Sequence, residues 1–153
     1  MHREIEEVIG MKLQVKKIHA NAKVPAYAHD GDSGMDLFSV EEVELMPGET
    51  KVVKTGLQVS MPKGFEAQVR PKSGLAAKFG VTVLNTPGTV DSGYRGEIMV
   101  ILANLGKDAY KVEKGKKIAQ MVIARVEEAE VEEVEALDET ARNTGGFGST
   151  GLD

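Results

Sequence analysis

The sequence predicts an all-β sandwich or barrel with one short helix. Three observations lead there. Turn signals recur at short intervals: Met46-Pro47-Gly48, Met61-Pro62-Lys63-Gly64, Thr86-Pro87-Gly88, Asn104-Leu105-Gly106 and Lys114-Gly115. The segments between them are short and have β character. Helix signals are sparse.

Each element follows from its residues. Ile5, Val8 and Ile9 are spaced for one amphipathic turn ahead of the first strand. Gly31 to Leu37 reads G-D-S-G-M-D-L, a glycine-rich turn feeding a strand. Val52-Val53, then Leu57 and Val59, are the next strand candidates. Phe65, Ala67 and Val69 alternate with Glu66, Gln68 and Arg70, the pattern of a half-buried strand. Ser73 to Phe79 is expected to form a short helix, with Ser73 as N-cap and Gly80 just past its end. Ile98 to Leu102 and Ile118 to Ile123 read as strands. Val126 to Val134 is predicted as a strand from its valines, although Val126, Ala129, Val131, Val134 and Leu137 also approach a helical period. The acidic run from Glu127 to Glu139 reads as a solvated face.

Composition narrows the function. The 153 residues fit one domain with a real core. With 19 basic and 24 acidic residues the net charge is −5, a poor balance for non-specific nucleic-acid binding, so no nucleic-acid partner is expected. The chain has no cysteine, which removes disulfides, thiolate metal sites and a Cys nucleophile. The acidic start M-H-R-E-I-E-E-V-I-G lacks the apolar core of a signal peptide, and no apolar run approaches the roughly 18 to 20 residues of a membrane span. A cytoplasmic protein without membrane contact is expected.

Several familiar patterns fail on inspection. G-F-G-S-T-G at Gly146 to Gly151 is formally G-x-G-x-x-G, but only Leu152 and Asp153 follow where a helix is needed. Asp30, Asp32 and Glu41 imitate an EF-hand, yet Gly34 holds a ligand position and Met35 the required glycine. His2, His19 and His29 lack metal-ligand spacing. Asp32-Ser33-Gly34 and Asp91-Ser92-Gly93 imitate the paired triads of an aspartic protease, but no apolar strand precedes Asp32 to bury the dyad.

The chemistry that remains centres on Asn85 to Glu97, N-T-P-G-T-V-D-S-G-Y-R-G-E. This turn-rich segment carries Asp91 and Tyr94, and its strong candidate for chemistry is a carboxylate, which points to activation of water. Asp36 has two readings, a structural pair or a functional group held near a cation or a catalytic carboxylate. R-P-K-S-G at Arg70 to Gly74 places Lys72 and the amides of Ser73 and Gly74 at a helix start, a candidate anion site, or Ser73 is only a cap. R-N-T-G-G-F-G-S-T-G at Arg142 to Gly151 is either an inert tail or a clamp for a base and its phosphates.

Together these segments resemble the homotrimeric deoxyuridine triphosphatase (dUTPase) family over nearly the whole chain. Five motifs occur in order: S-G-M-D-L at Ser33 to Leu37, R-P-K-S-G-L-A at Arg70 to Ala76, Asn85 to Glu97, K-G-K-K-I-A-Q-M at Lys114 to Met121, and Arg142 to Gly151. The resemblance implies a jelly-roll-like distorted β-barrel, a homotrimer with sites shared between subunits, and hydrolysis of dUTP to dUMP and pyrophosphate. It implies Mg²⁺ held through substrate phosphates and waters rather than by direct protein ligands. It divides the chain into an extension at 1–10, a barrel domain at 11–137 and a glycine-rich arm at 138–153.

By the same resemblance, Asp91 orients the water that attacks the α-phosphorus, and Tyr94 packs beneath deoxyribose. Asn85 with the hairpin backbone at Gly88, Thr89 and Val90 reads uracil, and Met99 lines the substrate. Lys72, Ser73, Gly74 and Gln120 contact phosphates, with Arg70 and Asp36 in support. Arg142, Phe147, Gly148, Ser149 and Thr150 belong to the closing arm, Phe147 stacking on uracil. Lys72 and Lys117 stand where that family often has Arg, and Asn143 where it often has Gly. Deoxycytidine triphosphate deaminases, or bifunctional enzymes of the same fold, are the alternative. They would use a glutamate on water, for which Glu97 is the candidate, but Tyr94 and the full arm match the triphosphatase pattern.

Overall fold

A computed structural model describes residues 10–153. The turn expected at Ile5, Val8 and Ile9 lies outside the described residues, as does all of the N-terminal extension except Gly10. Twelve strands and one helix follow in order: β1 (Gln14–Lys17), β2 (Ala26–Tyr27), β3 (Gly34–Phe38), β4 (Val43–Leu45), β5 (Thr50–Lys54), β6 (Leu57–Ser60), β7 (Phe65–Arg70), α1 (Ser73–Phe79), β8 (Val81–Val83), β9 (Gly88–Asp91), β10 (Met99–Asn104), β11 (Tyr110–Val112) and β12 (Lys117–Arg125). All pairings are antiparallel. The sheets run β2-β3-β12-β7-β9, β5-β10-β8, β1-β6 and β4-β11, wrapped around one core in the jelly-roll-like arrangement expected.

The alternation read in the sequence sets which way each strand faces. In β7, Ala67 and Val69 are buried while Glu66, Gln68 and Arg70 point outward. Leu37, Leu45, Val53, Leu57, Val100, Leu102 and Met121 are fully buried at the centre. Val52 and Val53 lie on one strand, as expected, and face opposite ways: Val53 is 0% exposed and Val52 54%. With Leu84 and Met99 it forms an apolar outer surface on the β5-β10-β8 sheet.

Two expectations need correction. Ser73 is the first residue of α1 rather than its cap; extended Lys72 holds the cap position and makes no side-chain capping bond. Gly80 closes the helix in the left-handed region, at φ 68°, as expected. Val126 to Val134 forms no strand: β12 ends at Arg125, and 126–153 contains neither helix nor strand. Valine favours a pleated, half-buried surface, but among the described residues this segment pairs with no strand, its one backbone link to the core being the Val126 amide donating to the Gly64 carbonyl. Among the described residues no helix is long and apolar enough to cross a membrane.

Candidate functional site

Of the expected site residues, Asp36, Arg70, Thr89, Asp91 and Gln120 lie on the five-stranded sheet, Lys72, Ser73 and Gly74 follow directly after its β7, and Met99 stands on the β5-β10-β8 sheet. One register line runs Ala26, Asp36, Gln120, Arg70 across β2, β3, β12 and β7. A bulge helps to build it. Lys117 pairs with Phe38 and Ala119 with Leu37, so Ile118 is the extra residue. Three positions apart on a regular strand, Lys117 and Gln120 would face opposite sides; the inserted residue turns both toward Asp36 and lets Ile118 and Ala119 both be buried.

Asp36 is 4% exposed and holds two cations. Lys72 Nζ donates to Oδ1 and Lys117 Nζ to Oδ2, the latter at 3.0 Å. Burial alone would raise the Asp36 carboxyl; the hydrogen bonds and charges of Lys72 and Lys117 outweigh it and hold the group below its ordinary 3.8. Asp36 is thus ion-paired with two lysines that point to the same outward face. Beside them, Gln120 Nε2 donates to the Pro71 carbonyl at 2.9 Å. A methyl group at Gly34 would collide with the Gln120 amide and lie 3.1 Å from its Cβ, so this glycine makes room for Gln120. Gln68, Arg70, Pro71, Ser73, Thr86, Pro87 and Gln120 line an open cavity of about 460 Å³.

Farther along the same face lies the second group. β9 pairs with β7 so that Thr89 faces Gln68 and Asp91 faces Glu66. Side chains of Glu66, Gln68 and Arg70 are linked in a ladder, Arg70 donating to Gln68 and Gln68 Nε2 donating to Glu66 at 2.6 Å. Four residues of strand separate the Glu66–Asp91 row from the Arg70 row, about 14 Å at ~3.4 Å per residue. Asp91 opens on a cavity of about 340 Å³ shared with Lys63, Phe65, Glu66, Ser92 and Glu127. Gly88 and Val90 face inward, so only their backbone is available at the surface, while Asn85 and Thr89 are exposed. The Asn85 amide lies 3.4 Å from where a Gly88 side chain would begin.

The turn after Asp91 is braced at each step. The Tyr94 amide donates to the Asp91 carbonyl at 3.1 Å. Arg95 Nη1 donates to the carbonyls of Ser92 (2.7 Å) and Tyr94 (3.0 Å). Tyr94 Oη donates to the Glu97 carbonyl at 3.0 Å, and the Glu97 carboxylate accepts the Gly56 amide at 2.9 Å. Tyr94 and Met99 nevertheless remain 42% exposed.

The arm is brought to neither group. Every residue of 138–153 is exposed except Gly145 and Gly146, and Phe147 projects freely. Its hydrogen bonds are local turns: the amides of Gly145, Ser149 and Gly151 donate to Arg142, Gly146 and Gly148, and Arg142 Nε donates to Gly145 O at 2.7 Å. Asn143 sits at φ 44°, where it stands in for a glycine as its sequence position implied. Among the described residues no three His, Asp or Glu groups converge as a metal cage. Sequence reasoning assigned no role to Gly34, Gly96 or the Glu66–Gln68–Arg70 ladder; the only signals were the glycines within S-G-M-D-L and Y-R-G-E and the polar alternation of β7.

Known proteins are similar to this chain in sequence and fold. The dUTPase family profile matches residues 20–151. A deoxyuridine 5'-triphosphate nucleotidohydrolase of Clostridium novyi is 59% identical over 142 residues, covering 93% of this chain and 100% of the relative. Its counterpart in Gloeothece citriformis is 58% identical over 93% of this chain and 98% of that protein. Among solved structures, a Staphylococcus bacteriophage 80alpha dUTPase mutant with dUpNHpp superposes with a TM-score of 0.86 at 30% identity, covering 92% of this chain and 99% of that one. A dUTPase of phage phi11 of S. aureus, described with a structural Mg(II) ion, gives 0.78 at 29% identity over 84% and 99%. On sequence and fold together, the chain belongs to the dUTPase family.

Proposed function

We propose that the protein hydrolyses dUTP to dUMP and pyrophosphate, limiting uracil available to DNA and supplying dUMP. The observation that carries this reading is the outward face itself. The exposed Asp91 carboxylate, beside a braced tyrosine, stands on the same sheet as Gln120, Arg70 and the lysine-holding Asp36, with Lys72, Ser73 and Gly74 just past the end of β7 as further phosphate donors. Asp91 accepts a proton from water as its oxygen bonds to the α-phosphorus, and the bond from that phosphorus to the pyrophosphate oxygen breaks. The hairpin backbone at Gly88, Thr89 and Val90, with Asn85, reads the uracil edge, and Tyr94 with Met99 supports the sugar. The arm residues Arg142, Phe147, Gly148, Ser149 and Thr150 close over the nucleotide and limit access of water.

Mg²⁺ fits as an ion carried with the triphosphate. Both oxygens of Asp36 are taken by lysine, and a hard, reluctantly dehydrated cation suits phosphate oxygens and waters. Bound there, it would neutralise charge on the phosphates. Deamination through Glu97 lacks support, because that carboxylate is engaged by the Gly56 amide.

The working site is further proposed to be shared within a homotrimer. Asp91 and the Lys72–Gln120 group are separated along the sheet, and the arm touches neither, so one chain leaves the site incomplete. The apolar outer surface with Val52 at 54%, Leu84 at 59% and Met99 at 42% exposure offers area for another copy. The test is pyrophosphate and ammonia release from dUTP, dCTP and UTP with Mg²⁺, alongside the mass in solution. Pyrophosphate from dUTP alone, by a particle of three chains, is expected; ammonia from dCTP, or no turnover of dUTP, refutes the reading.

A further inference from the structure

Gly96 occupies a place that its backbone does not explain. Its φ is outside the left-handed region adopted by Gly31, Gly48, Gly56, Gly64, Gly80, Gly115, Gly148 and Gly151, so a positive φ is not what calls for glycine here. What excludes a side chain is Tyr94. A methyl group at Gly96 would collide with Tyr94 Oη and lie 2.5 Å from Cζ and 2.9 Å from Cε2. The ring is folded back across the Gly96 backbone, and its hydroxyl is tied to the next carbonyl, that of Glu97.

That tie has a firm far end. The Glu97 carboxylate accepts the amide of Gly56, whose own position is enclosed: a methyl there would meet His19 Cβ at 2.8 Å and Ala22 Cβ and Val40 Cγ1 at 3.0 Å. Gly56 adopts φ 71° between buried Thr55 and Leu57, and the adjoining Ile98 exchanges backbone hydrogen bonds with both neighbours. A half-exposed ring would ordinarily sample several rotamers. Here a hydroxyl tether leading into the core holds it, and the bare Gly96 backbone leaves it the room to lie there.

We infer that Gly96 is a positioning residue for sugar selection: it lets the Tyr94 ring lie flat against the turn, held through Glu97 to Gly56, at the one height that admits deoxyribose and rejects a 2′-hydroxyl. The inference rests on the reading of Tyr94 as the sugar platform. Rejection of a single hydroxyl by steric contact requires a surface fixed to within a fraction of an ångström, which a mobile ring does not supply. Displacing the ring by one methyl group changes that height without removing the ring.

The experiment compares kcat/KM for dUTP and UTP in the wild type, Gly96→Ala, Tyr94→Phe, Glu97→Ala and Tyr94→Ala, with folding checked by circular dichroism. Gly96→Ala is expected to lower the dUTP-to-UTP ratio by about tenfold or more, a change that general loss of stability does not produce. Tyr94→Phe, which keeps the ring and cuts the tether, is expected to lower it less. A Gly96→Ala ratio within about twofold of wild type overturns the inference. If Gly96→Ala does not fold, Tyr94→Phe and Glu97→Ala decide: a lowered ratio in either supports the tether, and unchanged ratios in both overturn it. Should Tyr94→Ala keep the wild-type ratio, or the wild type fail on dUTP, the platform reading itself falls. Loss of selectivity in Tyr94→Ala with none in Gly96→Ala sinks the role of Gly96 alone.

Discussion

Replacing Asp36 by Asn removes one of two acceptors and turns the other position into a donor. The carboxylate serves Lys72 with one oxygen and Lys117 with the other. Asparagine can serve only one of them, and its NH₂ then faces the second ammonium. The Lys117 side chain is 50% exposed, so solvent screens that pair and its loss costs well under ~1 kcal/mol. Lys72 is 29% exposed against an almost buried carboxylate, and a charge-assisted hydrogen bond there is worth about 1.5–3 kcal/mol. A loss of about 2–3 kcal/mol corresponds to roughly 4–12 °C in Tm for a chain of this size. Because the Asp36 pKa is lowered on folding, its contribution is complete above the ordinary 3.8 and disappears as pH falls through the lower folded value. Thermal unfolding of both proteins at equal chain concentration, near neutrality and well below pH 3.8, reads this directly. A difference under ~0.5 kcal/mol at neutral pH refutes the reasoning, as does a difference that persists undiminished in acid.

Asp91→Asn is expected to lower kcat by about 10² to 10⁴ in steady-state assays with dUTP, with Tm unchanged because the side chain is exposed. Removing residues 140–153 is expected to abolish efficient turnover while leaving the melting curve of the core in place, since the arm makes its hydrogen bonds within itself; Phe147→Ala should reproduce much of the effect as a raised KM. Asn104→Ala is expected to destabilise by about 2–4 kcal/mol in denaturant unfolding, because this fully buried amide donates to the carbonyls of Leu45 and Asp108 and accepts from the Gly106 amide.

The parts of the molecule legible in the sequence are those whose cause is local. Helix α1 runs over Ser73–Phe79 as its end signals imply, although Lys72 takes the cap that Ser73 was expected to fill. Strand β7 shows its faces by alternation alone. The valines of 126–134 misled because a strand is made by its partner, and among the described residues none pairs with them. Two-residue β2 and three-residue β4 and β11 are defined by distant pairing and have too few residues to display a period. The motifs marked Asp36, Gln120, Asp91 and Tyr94, but nothing in a linear string shows that Gly34 and Gly96 act by leaving volume for Gln120 and Tyr94. The bulge at Ile118, which puts Lys117 and Gln120 on one face, is equally invisible there.

The arm that turns upon itself and leaves its own sheet uncovered bears on inheritance as well as on catalysis. When the chain that supplies Asp91 to a site differs from the chain whose Phe147 closes it, two defective alleles can rescue one another. Mixed in equal amounts and assembled at random, copies lacking Asp91 and copies lacking Phe147 leave about one quarter of the sites with both groups intact. Neither allele alone leaves any. A cell carrying both would therefore retain a nucleotide-cleansing capacity that no examination of either gene product by itself would disclose.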